Sequence, residues 1–163
     1  MMAPTADAGA FAGALPGRGR LLALDIGTRT IGLATASADW GFATARNTLA
    51  RQTPAKDLAA LQALVTADSI AGLVVGLPLS MDGSDSPRTQ SVRAQARNLA
   101  AGLALPTLLW DERWSTIAVE RHMLEADLSR RKRGERVDAL AAAHILEGAL
   151  ARLRHLAASP PRD

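Results

Sequence analysis

Four acidic residues lie at the ends of candidate secondary-structure elements, where a fold could gather them around a metal ion. Asp25 and the pair Asp111 and Glu112 each follow an apolar run, and Asp138 lies near the start of the last candidate helix. Hard cations such as Mg²⁺ take oxygen ligands, usually one or two carboxylates together with phosphate oxygens of a substrate. Two such ions about 4 Å apart stabilise both the attacking and the leaving oxygen in phosphoryl chemistry. Dispersed carboxylates without a histidine cluster fit that chemistry.

The same carboxylates have an ordinary structural explanation, which the residues alone leave open. Asp25 would cap a turn, and Asp138 would stabilise a helix N-terminus through the helix dipole. Glu112 would form an ion pair with Arg113 or Arg29. Spacing by itself does not decide between the metal site and these local roles.

The elements that must position these residues predict a mixed α/β sheet flanked by helices. Apolar runs and turn signals predict strands over residues 21–25, 31–37, 42–49, 70–77 and 105–110. Short connections between the first three strands are typical of an antiparallel meander, and the later strands alternate with helices. Helices are predicted to begin at Pro54, after Pro87 and at Ser115. In open α/β sheets, ligands bind at the carboxyl ends of strands, which is where Asp25 and Asp111 lie.

Four ordered motifs along the chain add a more specific signal. They are DxGxxxxGxA from Asp25, GLP and DG at residues 76–78 and 82–83, DERxST from Asp111, and DAxAAxxIL from Asp138. In these motifs the chain resembles the YqgF (RuvX) family over roughly residues 20 to 150. The resemblance implies a five-stranded RNase H-like sheet, kinship with the Holliday-junction resolvase RuvC, and a role as a pre-16S rRNA nuclease.

The resemblance also implies roles for the acidic residues. Asp25, Glu112 and Asp138 take the family's catalytic and metal-binding positions, and Asp111 is an additional candidate ligand. The implied cofactor is Mg²⁺ or Mn²⁺, as one or two ions. The chain departs from its relatives at Thr30, where a second basic residue often occurs, which affects the number of phosphate contacts expected in this turn.

Basic residues cluster beside the acidic motifs although the net charge is only +3. Phosphate contacts dominate nucleic-acid affinity, so a basic segment next to a metal site suits a nuclease. The candidate substrate-binding residues are Arg29, Arg113, Arg130, Arg131, Lys132, Arg133 and Arg136. A charge run is also typical of a solvated loop, which is the alternative explanation. With two Phe, three Trp and no Tyr, the chain lacks the aromatics of a base-stacking surface.

Length and composition predict a single domain. A chain of 163 residues at 48% hydrophobic content can bury a sizeable core, and we assign that domain to residues 18–157. We expect residues 1–17 to form a disordered tail and residues 158–163 a flexible one. The absence of cysteine excludes disulfides and thiolate chemistry and is compatible with a cytoplasmic protein. No apolar run is long enough for a membrane span.

These observations predict a metal-dependent nuclease that hydrolyses phosphodiester bonds. By resemblance, its partner is precursor 16S rRNA on a pre-ribosomal subunit, and it acts in 5′-end maturation as a monomer or homodimer. Three alternatives remain: a DNA endonuclease that resolves four-way junctions and needs a dimer, a kinase or ATPase of the actin-like kind, and a non-catalytic nucleic-acid or ribosome binder. The actin-like proteins need two such domains, for which this chain is too short.

Overall fold

The strands form one mixed sheet with helices on both faces. The computed structural model describes residues 3–17, 19–113 and 130–158, with side chains in the last segment described from residue 140 onwards. The strands are β1 (Arg20–Ile26), β2 (Thr30–Ala36), β3 (Ala43–Ala45), β4 (Leu49–Ala50), β5 (Ile70–Leu77) and β6 (Thr107–Asp111). The helices of the described segments are α1 (Ala8–Ala14), α2 (Pro54–Asp68), α3 (Pro87–Leu103) and α4 (Arg130–Ala158). The helix predicted to begin at Ser115 lies outside the described residues.

The sheet has the order β3-β2-β1-β5-β6, with β4 also paired to β2. The first strands form the predicted antiparallel meander, whereas β5 pairs in parallel with both β1 and β6. Parallel neighbours bring the carboxyl ends of β1, β5 and β6 to one edge of the sheet, which we call the carboxyl edge. The predicted mixed α/β sheet is therefore confirmed.

The third predicted strand, over residues 42–49, is interrupted. It forms β3 and β4, which both pair with β2, so that in the described residues six strands occupy the five positions predicted for the sheet. Ala34 of β2 pairs with Ala45, and Ile31 of β2 pairs with Leu49. The two paired positions are three residues apart on β2 but four residues apart on the outer strand. One extra residue on the outer strand is a β-bulge, which breaks the ladder locally.

Alternation along the strands produces two cores on opposite faces of the sheet. On β1, Leu22 and Leu24 belong to the core under α2 and α3, whereas Leu21 and Ala23 belong to the core under α4 and α1. Strand β5 is buried on both faces, as its continuous apolar run predicts. We refer to the two sides as the α2/α3 face and the α4 face.

Helices α2 and α3 begin where the sequence predicts. Thr53 accepts a backbone hydrogen bond at the start of α2, and Pro54 is its first residue. Ser86 and Thr89 form a reciprocal capping box at the start of α3, which begins at Pro87. Proline at the first helical position costs no hydrogen bond because the missing N–H would have no intrahelical partner.

The amino-terminal segment differs from the prediction of a disordered tail over residues 1–17. Residues 8–14 form α1, and Phe11 is 1% exposed in the α4-face core. A Cβ atom on Gly72 would meet Leu15 Cδ2 at 2.7 Å and Phe11 Cζ at 3.0 Å, so this glycine leaves the space that α1 fills. Thr5 also pairs with the edge of β6, accepting from the N–H of Leu109 at 2.8 Å. Burial of these apolar side chains offsets the entropy of ordering the segment.

Helix α4 packs across the sheet and runs away from the carboxyl edge. Ile145 contacts the sheet at Gly76, near the carboxyl end of β5. Further along α4, Arg154 donates to the carbonyl of Trp40 at 2.7 Å, and the Trp40 indole in turn donates to Gly19, just before β1. The part of α4 that precedes Ile145 therefore lies toward the carboxyl edge.

Helix α4 also begins earlier than the sequence suggests. The helix is described from Arg130, eight positions before Asp138, so the basic segment over residues 130–136 has a helical backbone. Arginine and lysine are good helix formers, which allows the helix to extend through this segment. None of the helices in the described segments combines the length and hydropathy of a membrane span.

Candidate active site at the carboxyl edge

Asp25 lies near the carboxyl end of β1, on the α4 face. It pairs with Gly32 of β2 and is half-buried. Successive side chains of a strand point to opposite faces, so Asp25 shares the side of Leu21 and Ala23, whose side chains contribute to the core under α4. The Asp25 carboxylate therefore lies on the α4 face, at the carboxyl edge of the sheet.

Glu112 follows β6 directly and reaches the same face. Its carboxylate Oε2 is 3.1 Å from the point that a Cβ atom on Gly76 would occupy, and Ile145 of α4 contacts the same point. The register pairs Leu24 with Val75, so the next residues, Asp25 and Gly76, lie at the same level. Asp25 and Glu112 therefore lie on either side of β5 at Gly76, whose missing side chain leaves the room that the Glu112 carboxylate and Ile145 occupy above the strand.

Asp138, the third predicted acid, has a helical backbone in α4, and its side chain lies outside the described residues. It precedes Ile145 by seven positions, which corresponds to two turns along one side of a helix. Its backbone is thus on the part of α4 that extends toward the carboxyl edge. The side chains of the basic α4 residues are likewise outside the described part: Arg130, Arg131, Lys132, Arg133 and Arg136.

Asp111 is engaged by Arg113 rather than directed to the α4 face. The Arg113 guanidinium donates to both carboxylate oxygens, with an Nη2 to Oδ2 distance of 2.8 Å and an Nε to Oδ1 distance of 3.2 Å. The side-chain hydrogen bond from Arg113 is the main cause that lowers the pKa of Asp111, and the same bond raises the pKa of Arg113. As the neighbour of Glu112, Asp111 alternates onto the α2/α3 face. Arg113, one of the two partners that the sequence suggested for Glu112, forms this ion pair with Asp111.

The loop over residues 78–87 follows β5 and is held near this edge. Arg113 Nη1 donates to the carbonyl of Met81 at 3.4 Å and lies beside Gly83, which has a φ of +88°. Asp82 accepts from the hydroxyl of Ser84 at 2.6 Å, which is the main cause that lowers the pKa of Asp82. The loop is thus the turn that its Asp-Gly pair indicates.

The turn after β1 carries the exposed Arg29. Two arginines that the sequence analysis did not assign to the site hold the backbone of this turn. Arg88 donates to the carbonyl of Ile26, and Arg51 donates to the carbonyl of Gly27, each at 2.6 Å. These partners are 62 and 24 residues apart in the chain, and no local pattern connects them. Only the fold brings them together.

The donors at this edge fit a hard divalent cation. The carboxylates of Asp25 and Glu112 supply oxygen ligands on the same face, on either side of Gly76, and oxygen donors are what Mg²⁺ and Mn²⁺ prefer. Among the side chains that the structure describes, no three His, Cys, Asp or Glu residues group closely enough to hold a metal. The candidate third carboxylate, Asp138, is not part of that set.

Comparisons with known proteins agree with this fold. A family model described as RuvX, Holliday junction resolvase, matches residues 19–152. A protein of Sphingopyxis alaskensis, named as a candidate pre-16S rRNA nuclease, is 63% identical over 140 residues, covering 86% of this chain and 91% of the relative. A Zymomonas mobilis protein with the same name is 56% identical over 140 residues, covering 86% and 85%.

Among solved structures, Thermus thermophilus RuvC in complex with a Holliday junction substrate superposes with a TM-score of 0.50. The match covers 82% of this chain and 95% of RuvC at 12% sequence identity. A similarity of this kind concerns the fold alone. The architecture is of the RuvC and RNase H-like kind, as the motifs imply.

Proposed function

The chain belongs to the RuvX family, and from this premise we propose that it is a metal-dependent nuclease that acts in 5′-end maturation of precursor 16S rRNA. The observation that carries the proposal is the placement of Asp25 and Glu112 on one face of the carboxyl edge, on either side of Gly76. Carboxylates held on one face by the ends of neighbouring strands are the kind of ligands that hold the metal ions of a phosphoryl-transfer site.

In this proposal, Asp25, Glu112 and Asp138 hold one or two Mg²⁺ or Mn²⁺ ions. When bound, the metal supplies a more acidic water and stabilises negative charge on the phosphate. The protein fixes the direction of attack by holding its carboxylates on rigid strands and on α4. No covalent enzyme intermediate is needed, because water can attack the phosphate directly.

Basic residues around the edge would bind the RNA backbone. Arg29 lies on the exposed turn that follows Asp25, and the basic residues of α4 precede Asp138 in the same helix. The sequence suggested that Arg113 contacts a substrate phosphate, but we propose a structural role for it. Its bonds to Asp111 and Met81 suit it to hold the loop over residues 78–87 at the edge of the site.

The RNA substrate is proposed from the relatives that are 63% and 56% identical and that carry the name of a pre-16S rRNA nuclease. A precursor rRNA substrate also implies a cytoplasmic location, because bacterial rRNA precursors are made in the cytoplasm. The description of the family as a Holliday junction resolvase supports a second candidate, a junction-cutting DNA endonuclease. That activity would require two copies placed across a symmetric junction.

The test is cleavage of a labelled precursor 16S rRNA fragment and of a four-way DNA junction, with Mg²⁺, Mn²⁺ or a chelator. We would compare the wild type with Asp25→Asn and Glu112→Gln. Asp68→Asn is the matched control, because this carboxylate pairs with Arg46 at 2.9 Å, away from the carboxyl edge. Metal-induced changes in melting temperature, measured on the same proteins, report metal binding separately from cleavage.

We expect metal-dependent cutting of the RNA that is lost in Asp25→Asn and Glu112→Gln and kept in Asp68→Asn. Cutting of the junction alone would move the assignment to a resolvase. RNA binding without cutting, unchanged by the chelator and by both site variants, would identify a non-catalytic binder and overturn the proposal.

A further inference from the structure

Two guanidinium groups reach the peptide carbonyls that directly follow Asp25. Arg88 Nη2 lies 2.6 Å from the carbonyl oxygen of Ile26, and Arg51 Nη1 lies 2.6 Å from that of Gly27. Both distances are at the short end for N–H to O hydrogen bonds, as expected when the donor is charged. The two arginines approach from different elements, because Arg88 belongs to α3 and Arg51 follows β4.

Arg51 is itself fixed in place. Its backbone N–H donates to the carbonyl of Arg29 at 2.9 Å, so it is joined to the turn twice. Its guanidinium also lies 3.9 Å from the carboxylate of Asp57, which is 8% exposed. That carboxylate accepts from the N–H of Gln52 at 2.9 Å, which ties it to the same segment. A side chain anchored at both ends can hold its partner in one position.

Arg88 lies at an unfavourable position for helix stability. It is the second residue of α3, where the helix dipole disfavours a positive charge. The start of α3 is rigid, because the fully buried Thr89 completes the capping box and also donates to the carbonyl of Pro78 at 2.6 Å. The hydrogen bond to Ile26 gives a reason for an arginine at this position. It connects the rigid start of α3 to the end of β1.

The two carbonyls set the orientation of the backbone immediately after Asp25. Within the turn, the N–H of Gly27 donates to the carbonyl of Thr30 at 2.8 Å. The ladder to β2 fixes Asp25 itself through its pairing with Gly32, and the two arginines fix the peptide groups that follow. Catalytic carboxylates need placement to within about 0.5 Å, so a backbone held in this way favours a preorganised site.

We infer that Arg51 and Arg88 are positioning residues for Asp25, which act through the carbonyls of Gly27 and Ile26 and not through contact with the RNA. This inference rests on the proposed nuclease function. Both side chains approach from the α2/α3 side, since Arg88 belongs to α3 and Arg51 is held at Asp57 of α2. Asp25 and Glu112 lie on the α4 face.

The experiment measures kcat and KM for cleavage of the precursor 16S rRNA fragment by Arg51→Gln, Arg88→Gln and the corresponding lysine variants. Positioning predicts that kcat falls roughly 10- to 100-fold in the glutamine variants, while KM and its salt dependence stay within about twofold. Lysine can donate one charged hydrogen bond, so the lysine variants should recover part of kcat. Arg152→Gln, an exposed change in the carboxyl-terminal half of α4, is the matched control and should leave both constants unchanged.

Hydrogen exchange of the peptide that contains residues 25–30 gives a readout that does not need activity. We expect faster exchange of this segment in both glutamine variants, with a melting temperature that shows them folded. A rise in KM with unchanged kcat and a weaker salt dependence would instead make these arginines phosphate ligands and overturn the inference. Unchanged kinetics and exchange would also overturn it. A wild type that cuts neither nucleic acid would contradict the proposed function alone, because exchange still tests the positioning.

Discussion

The carboxylate of Glu112 lies over Gly76, with Oε2 only 3.1 Å from the point that a Cβ atom there would occupy. Cδ1 of Ile145 comes closer still to that point, so the glycine is covered by a catalytic candidate on one side and by α4 on the other. Gly76 has no positive φ to explain its identity. The absence of a side chain is what lets Glu112 and α4 approach β5.

Gly76→Ala should therefore impair both packing and the site. The new methyl group would collide with Ile145 and displace the Glu112 carboxylate, which should lower stability by about 1–3 kcal/mol and reduce nuclease kcat. Melting temperature and single-turnover cleavage measure the two effects. In the double variant with Ile145→Val, which removes Cδ1, we expect much of the stability to return while kcat stays low. Full recovery of kcat would contradict a steric effect on Glu112.

Gly13→Ala is the control for the glycine substitution. No atom lies within 4 Å of a Cβ atom added at Gly13, which is in α1. Alanine is a better helix former than glycine by roughly 1 kcal/mol, so this variant should be neutral or slightly more stable.

Asp111→Asn and Glu112→Gln should differ in metal binding although the residues are adjacent. Their side chains alternate onto opposite faces, and both oxygens of Asp111 are engaged by Arg113. Titration with Mn²⁺, followed by calorimetry or by the shift in melting temperature, should show an affinity loss of at least about tenfold for Glu112→Gln. Asp111→Asn should stay within about threefold of the wild type. Equal losses in both variants would make Asp111 a metal ligand.

The Asp111 and Arg113 pair should contribute a pH-dependent stability. Arg113 lowers the pKa of Asp111 below its ordinary value of 3.8, so the folded state favours the charged carboxylate. The ion pair therefore adds to the free energy of unfolding at pH values above the pKa that Asp111 has in the unfolded chain. This contribution is lost as the pH falls through the lower pKa that Asp111 has in the folded protein. Arg113 stays protonated throughout, because its already high pKa is raised further.

The measurement is the difference in melting temperature between wild type and Asp111→Asn. We expect the wild type to be the more stable protein from pH 7 down to about pH 5 and the difference to shrink below about pH 4. A difference that persists undiminished at pH 2.5 would exclude the ion pair as its source.

Phe11→Ala should lower stability strongly, whereas Phe42→Ala should leave it almost unchanged. Phe11 is 1% exposed and fills the space over Gly72, whereas Phe42 is 72% exposed. Truncation of the buried ring should cost about 3–5 kcal/mol, and truncation of the exposed ring should change stability by less than about 0.5 kcal/mol. Chemical denaturation measures both. Equal stabilities would mean that α1 contributes nothing to the folded state.

Much of the fold follows from short-range patterns in the sequence. The apolar runs locate β1, β2, β5 and β6, and Pro54 and Pro87 locate the starts of α2 and α3. These signals are local, because strand alternation, prolines and helix caps act over a few residues. The same patterns place Asp25 and Glu112 at the carboxyl ends of strands, where the structure brings them to one face.

The tertiary structure decides the partners that local patterns leave open. Arg113 pairs with Asp111, whose side chain strand alternation places on the α2/α3 face. Phe11 enters the core because Gly72, far along the chain, leaves the space. The contacts of Arg51 and Arg88 with the turn after Asp25 depend on strand register and helix placement over long separations. Such contacts are set by the packing of whole elements, which no local periodicity encodes.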